Sequence, residues 1–81
     1  MTLPPRIEET LSAAVERFAL TARQTCIVHL TLLSKTRRQI IRRLDIAPST
    51  YDTHVRAIFR KTGMRLPQFA LAIARDAATL P

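Results

Sequence analysis

Ile40–Gly63, IIRRLDIAPSTYDTHVRAIFRKTG, is the stretch on which the fold of this chain turns. Ile40 or Ile41 and Leu44 close a short helical run, and "DIA" follows as a three-residue connection. A new helix then starts near Pro48, where proline is tolerated because the first-turn N–H has no intrahelical partner. Tyr51, Val55, Ile58 and Thr62 fall on one stripe of that helix, with Phe59 beside it, so Arg56, Arg60 and Lys61 project outward. Gly63 supplies the left-handed residue after the last turn, and Met64 stands where the accompanying hydrophobic contact is made. Asp52 is the anomaly, a carboxylate inside an otherwise basic surface.

Working outward, capping signals divide the flanks. Arg6–Ala19 places Ile7, Leu11, Ala14, Val15 and Phe18 at helical spacing, with Glu8, Glu9, Glu16 and Arg17 elsewhere on the wheel. Thr21 followed by Gln24 is a capping box, and the helix it opens carries Ile27, Leu30, Thr31 and Leu33 inward. Thr36 and Gln39 repeat the device before the short helix. Pro67 starts a last helix through about Thr79, with Phe69, Ala70, Ile73, Ala74 and Ala77 on one face. The expected class is all-α.

Composition agrees with helices. The 81 residues suffice for one small domain, near the size at which a single core is only just adequate and association with a second copy helps. Hydrophobic residues make up 47% with no Trp, so Leu, Ile, Val and Ala must build that core. One Gly and five Pro, three of the prolines near a chain end, leave the interior almost without breakers. Cys26 excludes an internal disulfide and lies in an apolar run where a buried thiol is expected. His29 and His54 do not make a metal-ligand set. No apolar run approaches the roughly 18 residues of a membrane span, and no signal peptide opens the chain, so a cytoplasmic protein is expected. Paired carboxylates, a Cys/His dyad and a Gly-rich phosphate loop are all missing, which argues against an enzyme and against a cofactor or small-molecule ligand.

The formal charge of +7 is concentrated. Residues 1–20 hold two Arg against three Glu, whereas residues 35–65 hold nine Lys/Arg against two Asp. Such a block is the footprint of contact with a polyanion, the alternative being a solvated basic face. A short helix, a three-residue connection and a basic helix make a helix-turn-helix, whose second helix enters the major groove of DNA.

At this point the chain resembles a known family. From Leu20 to Ala74, about two-thirds of the sequence, it is similar to the LuxR-type (GerE-type) DNA-binding domain of bacterial transcription regulators. The matching residues are "LTARQ", "QIIRRLDIAPST", "THVRAIFRKTGMR" and "QFALAIA". The resemblance implies a compact four-helix domain over residues 20–81, preceded by an extra amphipathic helix over residues 1–19. It implies that Thr50 bonds a phosphate, with a simple helix cap as the alternative, and that His54 approaches the DNA backbone beside a core Val55. Arg56 would read guanine, Arg60 and Lys61 would straddle phosphates, and Arg37, Arg38 and Arg42 would add phosphate contacts. Ser49, Asp52 and Thr53 complete the positions expected at the DNA. The family's habit of pairing through its last helix makes Phe69, Ile73 and Ala77 the expected homodimer contact.

The departures are specific. The family commonly has Glu where this chain has Gln24, a Gly-Leu or Gly-Lys pair where it has Ser34 and Lys35, and a turn Gly where it has Asp45. A basic or polar residue usually stands at Asp52. Its carboxylate either accepts a hydrogen bond from cytosine N4, or forms a capping box with Ser49 and never reaches a base, and the capping box is the expectation carried forward. The first helix either packs back on the domain or supplies a dimer contact. Regulators of this type normally take their signal through a partner domain, so these residues acting alone are expected to be constitutive, controlled by their own abundance, or controlled by another protein. The expected function is sequence-specific binding of double-stranded DNA, with another regulator or RNA polymerase as further partners. The alternative is an interaction module of the same fold, an anti-activator or heterodimer partner with weak or no DNA binding.

Overall fold

The computed structural model describes residues 2–78, and among them every regular element is a helix. The order is α1 (Pro5–Phe18), α2 (Ala22–Leu32), α3 (Arg37–Leu44), α4 (Pro48–Thr62) and α5 (Leu66–Ala78). No helix among these residues is long and apolar enough to cross a membrane.

Helix boundaries follow local chemistry. Both capping boxes form: Gln24 N–H donates to Thr21 Oγ1 at 3.1 Å and Thr21 N–H to Gln24 Oε1 at 3.0 Å, and the Thr36/Gln39 pair repeats this at 3.2 and 2.9 Å. Four left-handed residues follow the ends of the first four helices: Ala19, Ser34, Asp45 and Gly63, with φ of 53°, 65°, 53° and 73°. Only Gly63 adopts this region without a Cβ penalty, so three of the turns carry strain that packing must offset. Helix α1 runs one residue ahead of the expected span at both ends, because Pro4 and Pro5 pre-set the first turn and Ala19 leaves the helix. Helix α5 starts at Leu66, so Pro67 sits inside the first turn, and Arg65 N–H donates to Gln68 Oε1 at 3.2 Å. The expected end at Thr79 lies outside the described residues.

The core is one cluster that draws on every helix. Its fully buried side chains are Phe69, Ile27, Ile40, Ile58 and Val28, joined by Leu3, Leu11, Leu20, Leu30, Tyr51, Leu66 and Ile73. Helices α1, α2 and α4 all pack on α5, and the α1–α5 contact is the most extensive. Phe18 meets Phe69 edge to face, with centroids 5.7 Å apart and planes at 85°. The first helix therefore packs back on the domain, with Leu3 and Leu11 inside the shared cluster. Of the two isoleucines in α3, Ile40 is the buried one.

One expectation about burial fails. Cys26 is exposed, because a helix turns by about 100° per residue and the inward stripe of α2 is set by Gln24, Ile27 and Val28. Phe59 is 50% exposed, one position past the completely buried Ile58. Neighbours on one helix thus differ fully in environment. Ile58→Ala should cost about 2–5 kcal/mol, whereas Phe59→Ala should stay within about 0.5 kcal/mol of wild type. Chemical denaturation of the two variants checks this, and similar losses would contradict the burial pattern.

Candidate nucleic-acid interface

The basic surface is built by α3 and α4 and the three residues that join them, Asp45, Ile46 and Ala47. Asp45 takes the left-handed conformation at φ 53°, its N–H donates to Arg42 O at 3.3 Å and the Ile46 N–H donates to Ile41 O at 3.2 Å, which closes α3 and turns the chain. Ala47 is the N-cap of α4, and no side chain caps it.

Burial of Tyr51 and Ile58 fixes which face of α4 is outward. Ser49, Thr53, Arg56 and Arg60 recur at the i, i+4, i+7, i+11 spacing of one helical stripe, and all four are exposed. Two hydroxyls therefore precede two guanidinium groups along a single line. Thr53 Oγ1 donates to Ser49 O at 3.0 Å, which leaves its oxygen available as an acceptor. Arg37, Arg38, Arg42 and Arg43 extend the positive surface along α3, all exposed. Arg43 was not among the expected contacts, although the doublet it forms with Arg42 was a signal for it. Thr50 is exposed and is not the helix cap, while His54 is half-buried at the edge of the stripe.

Two expected residues have partners within the chain. Lys61 Nζ donates to Ala19 O at 2.7 Å and to Gln24 Oε1 at 2.9 Å, so its ammonium ties the last turn of α4 to the end of α1 and the start of α2. The same Gln24 oxygen serves the Thr21 capping box, which satisfies a side chain only 5% exposed. Asp52 does not cap α4. The helix starts at Pro48, so Ser49 is its second residue and Asp52 its fifth, whereas a capping box needs the N-cap and the third. Asp52 instead accepts from Arg37: Nε at 3.4 Å and Nη2 at 3.2 Å on Oδ1, and Nη2 again at 3.2 Å on Oδ2. Both side chains are about half exposed, at 53% and 50%, so the pair adds only about 0–1 kcal/mol to stability. No local signal joins residues 15 apart in sequence; only the apposition of α3 and α4 does.

Phe69, Ile73 and Ala77, the expected dimer contact, are 2%, 3% and 4% exposed within the single chain. The extensive contact of α1 with α5 accounts for the cover. Leu71, 52% exposed, is the large apolar side chain that α5 leaves at the surface. Among the described residues no group of His, Cys, Asp and Glu could hold a metal ion.

Comparison with protein-family models finds no match to this chain, and neither the curated proteins nor the solved structures supply one. The site is therefore characterised by its own chemistry.

Arg37 also lies over the ring of Tyr51, with Cζ 5.6 Å from the centroid. Burial pushes the Tyr51 phenol above its ordinary 10.0; the Arg37 charge pulls it down and the Asp52 charge pushes it up. The folded state thus favours the neutral phenol. Its contribution to stability is complete below the unfolded value and is lost as pH rises through the higher folded value. Phenolate absorbance of this single tyrosine should titrate at higher pH in the native protein than in guanidinium. Coincident titrations would contradict the burial.

Proposed function

We propose that this chain is a sequence-specific double-stranded DNA-binding regulator of the LuxR type, with α3 and α4 as its helix-turn-helix and α4 as the recognition helix. The observation that carries the reading is the stripe Ser49, Thr53, Arg56 and Arg60, outward on α4 because Tyr51 and Ile58 are buried behind it. A helix fits the major groove, a guanidinium there can bond guanine O6 and N7 together, and hydroxyls bond either bases or phosphates. Arg38, Arg42 and Arg43 on α3 then meet phosphates and set the register. Thr50 adds its hydroxyl at the start of α4, and His54 approaches the backbone from the edge of the stripe. Lys61, engaged by Ala19 and Gln24, acts chiefly in holding α4 against the domain. The reading implies a cytoplasmic protein. A two-fold symmetric operator would require a homodimer joined elsewhere than at Phe69, Ile73 and Ala77, for example around the exposed Leu71.

A second reading is a protein-interaction module of the same fold. It is favoured by the intrachain partners of Arg37 and Lys61, two of the cations counted toward the DNA.

Selection of bound sites from a random duplex pool separates the two, since an interaction module enriches nothing. For a DNA-binding regulator, log K should fall with log salt by about 0.9 per phosphate contacted. Arg56→Ala should cost roughly 1–3 kcal/mol on the selected site and little on random DNA. Equal losses on both would make Arg56 a phosphate contact, and affinity flat in salt would count against DNA binding altogether.

A further inference from the structure

The Arg37–Asp52 pair sits within the basic surface yet contributes no net charge to it. Arg37 opens α3, the helix that otherwise presents Arg38, Arg42 and Arg43, and Asp52 lies on α4 beside its polar stripe. Three hydrogen bonds at 3.2–3.4 Å direct two guanidinium nitrogens at the carboxylate. The Tyr51 ring under the guanidinium supports the same placement. A guanidinium is a planar fork that suits carboxylate and phosphate equally, and the intrachain carboxylate takes the place a phosphate would occupy.

We propose that Asp52 sets the overall DNA affinity by acting through Arg37: it withholds one phosphate contact and so lowers affinity for duplex DNA of every sequence, without touching the base contacts of α4. The inference rests on the DNA-binding reading above. Its physical basis is an exchange. For Arg37 to clamp a phosphate it must leave Asp52, and the bared carboxylate then lies beside a polyanion. The gain of one contact is offset by the repulsion, and the pair stays closed on DNA. Because phosphate contacts are common to all sequences, removing one weakens random binding and operator binding alike in absolute terms. The ratio of operator to random affinity is unchanged, while binding to both becomes weaker and less dependent on salt.

The test compares three proteins, wild type, Asp52→Asn and the double variant Asp52→Asn/Arg37→Met, on a random duplex and on a selected site over a range of salt. Both side chains are half exposed and methionine keeps aliphatic cover on Tyr51, so folding should be retained, with coincident thermal midpoints as the check. Asp52→Asn frees the guanidinium and should steepen the salt slope by about 0.9 on both duplexes, so that the ratio of affinities at about 50 and about 200 mM salt grows roughly 3.5-fold. The double variant should return to the wild-type slope. A double variant about 0.9 shallower than wild type would overturn the proposal, because Arg37 would then contact phosphate despite Asp52. So would an Asp52→Asn variant unchanged on random DNA but altered in preference at one base pair, since Asp52 would then be reading a base. If none of the three shifts duplex at low salt, the DNA-binding reading itself falls and the proposal with it.

Discussion

The apolar face of α5 is the surface on which the domain is assembled. Phe69, Ala70, Ile73 and Ala77 are all buried, and α1, α2 and α4 each pack against the helix that carries them. A chain of this length cannot build a second layer, so one helix must serve as the common floor. The alternation of large and small side chains lets other helices approach closely, and Phe18 fills the space over Phe69 edge to face. The helix that presents the polar stripe and the helix that covers the end of the domain are thereby held by the same residues.

Lys61 completes that arrangement with a single charge. Its ammonium joins α4 to the left-handed end of α1 and to the buried Gln24 at the start of α2. Gln24 accepts from both Lys61 and the Thr21 N–H, so one amide oxygen caps α2 and fixes the last turn of α4. A neutral amide accepts the ammonium without placing a charge on a side chain that is only 5% exposed. The basic surface correspondingly offers fewer unengaged cations than a count of Lys and Arg suggests. Its positive field comes from the whole of residues 35–65, although Arg37 and Lys61 are engaged within the chain.

Asp52 shows how one side chain off the buried face sets the surface chemistry of a helix without affecting its packing. The core positions Tyr51, Val55 and Ile58 orient α4 whatever stands at residue 52, because that side chain lies off the buried face. What residue 52 does decide is the state of Arg37 on the neighbouring helix, which Asp52 engages. An exposed ion pair does little for stability, but it alters which charges the basic surface offers.

The sequence by itself determined the helices, both capping boxes, the left-handed turn at Gly63, the three-residue connection and the basic block. Each of these depends on residues within about one helical turn of each other, where backbone hydrogen bonding and steric limits act locally. Only the tertiary structure decided that α1 covers α5, that Phe69, Ile73 and Ala77 are consumed within the chain, that Cys26 and Phe59 face solvent, and that Lys61 and Asp52 find partners at Gln24 and Arg37. Periodicity gives the width of an apolar stripe but not its centre to within one residue, and Cys26 and Ile27 fall on either side of that margin. Charge pairing between separate helices has no sequence period at all. It depends on how close the packed core brings two surfaces, and a Coulomb interaction decays with that distance rather than with separation along the chain.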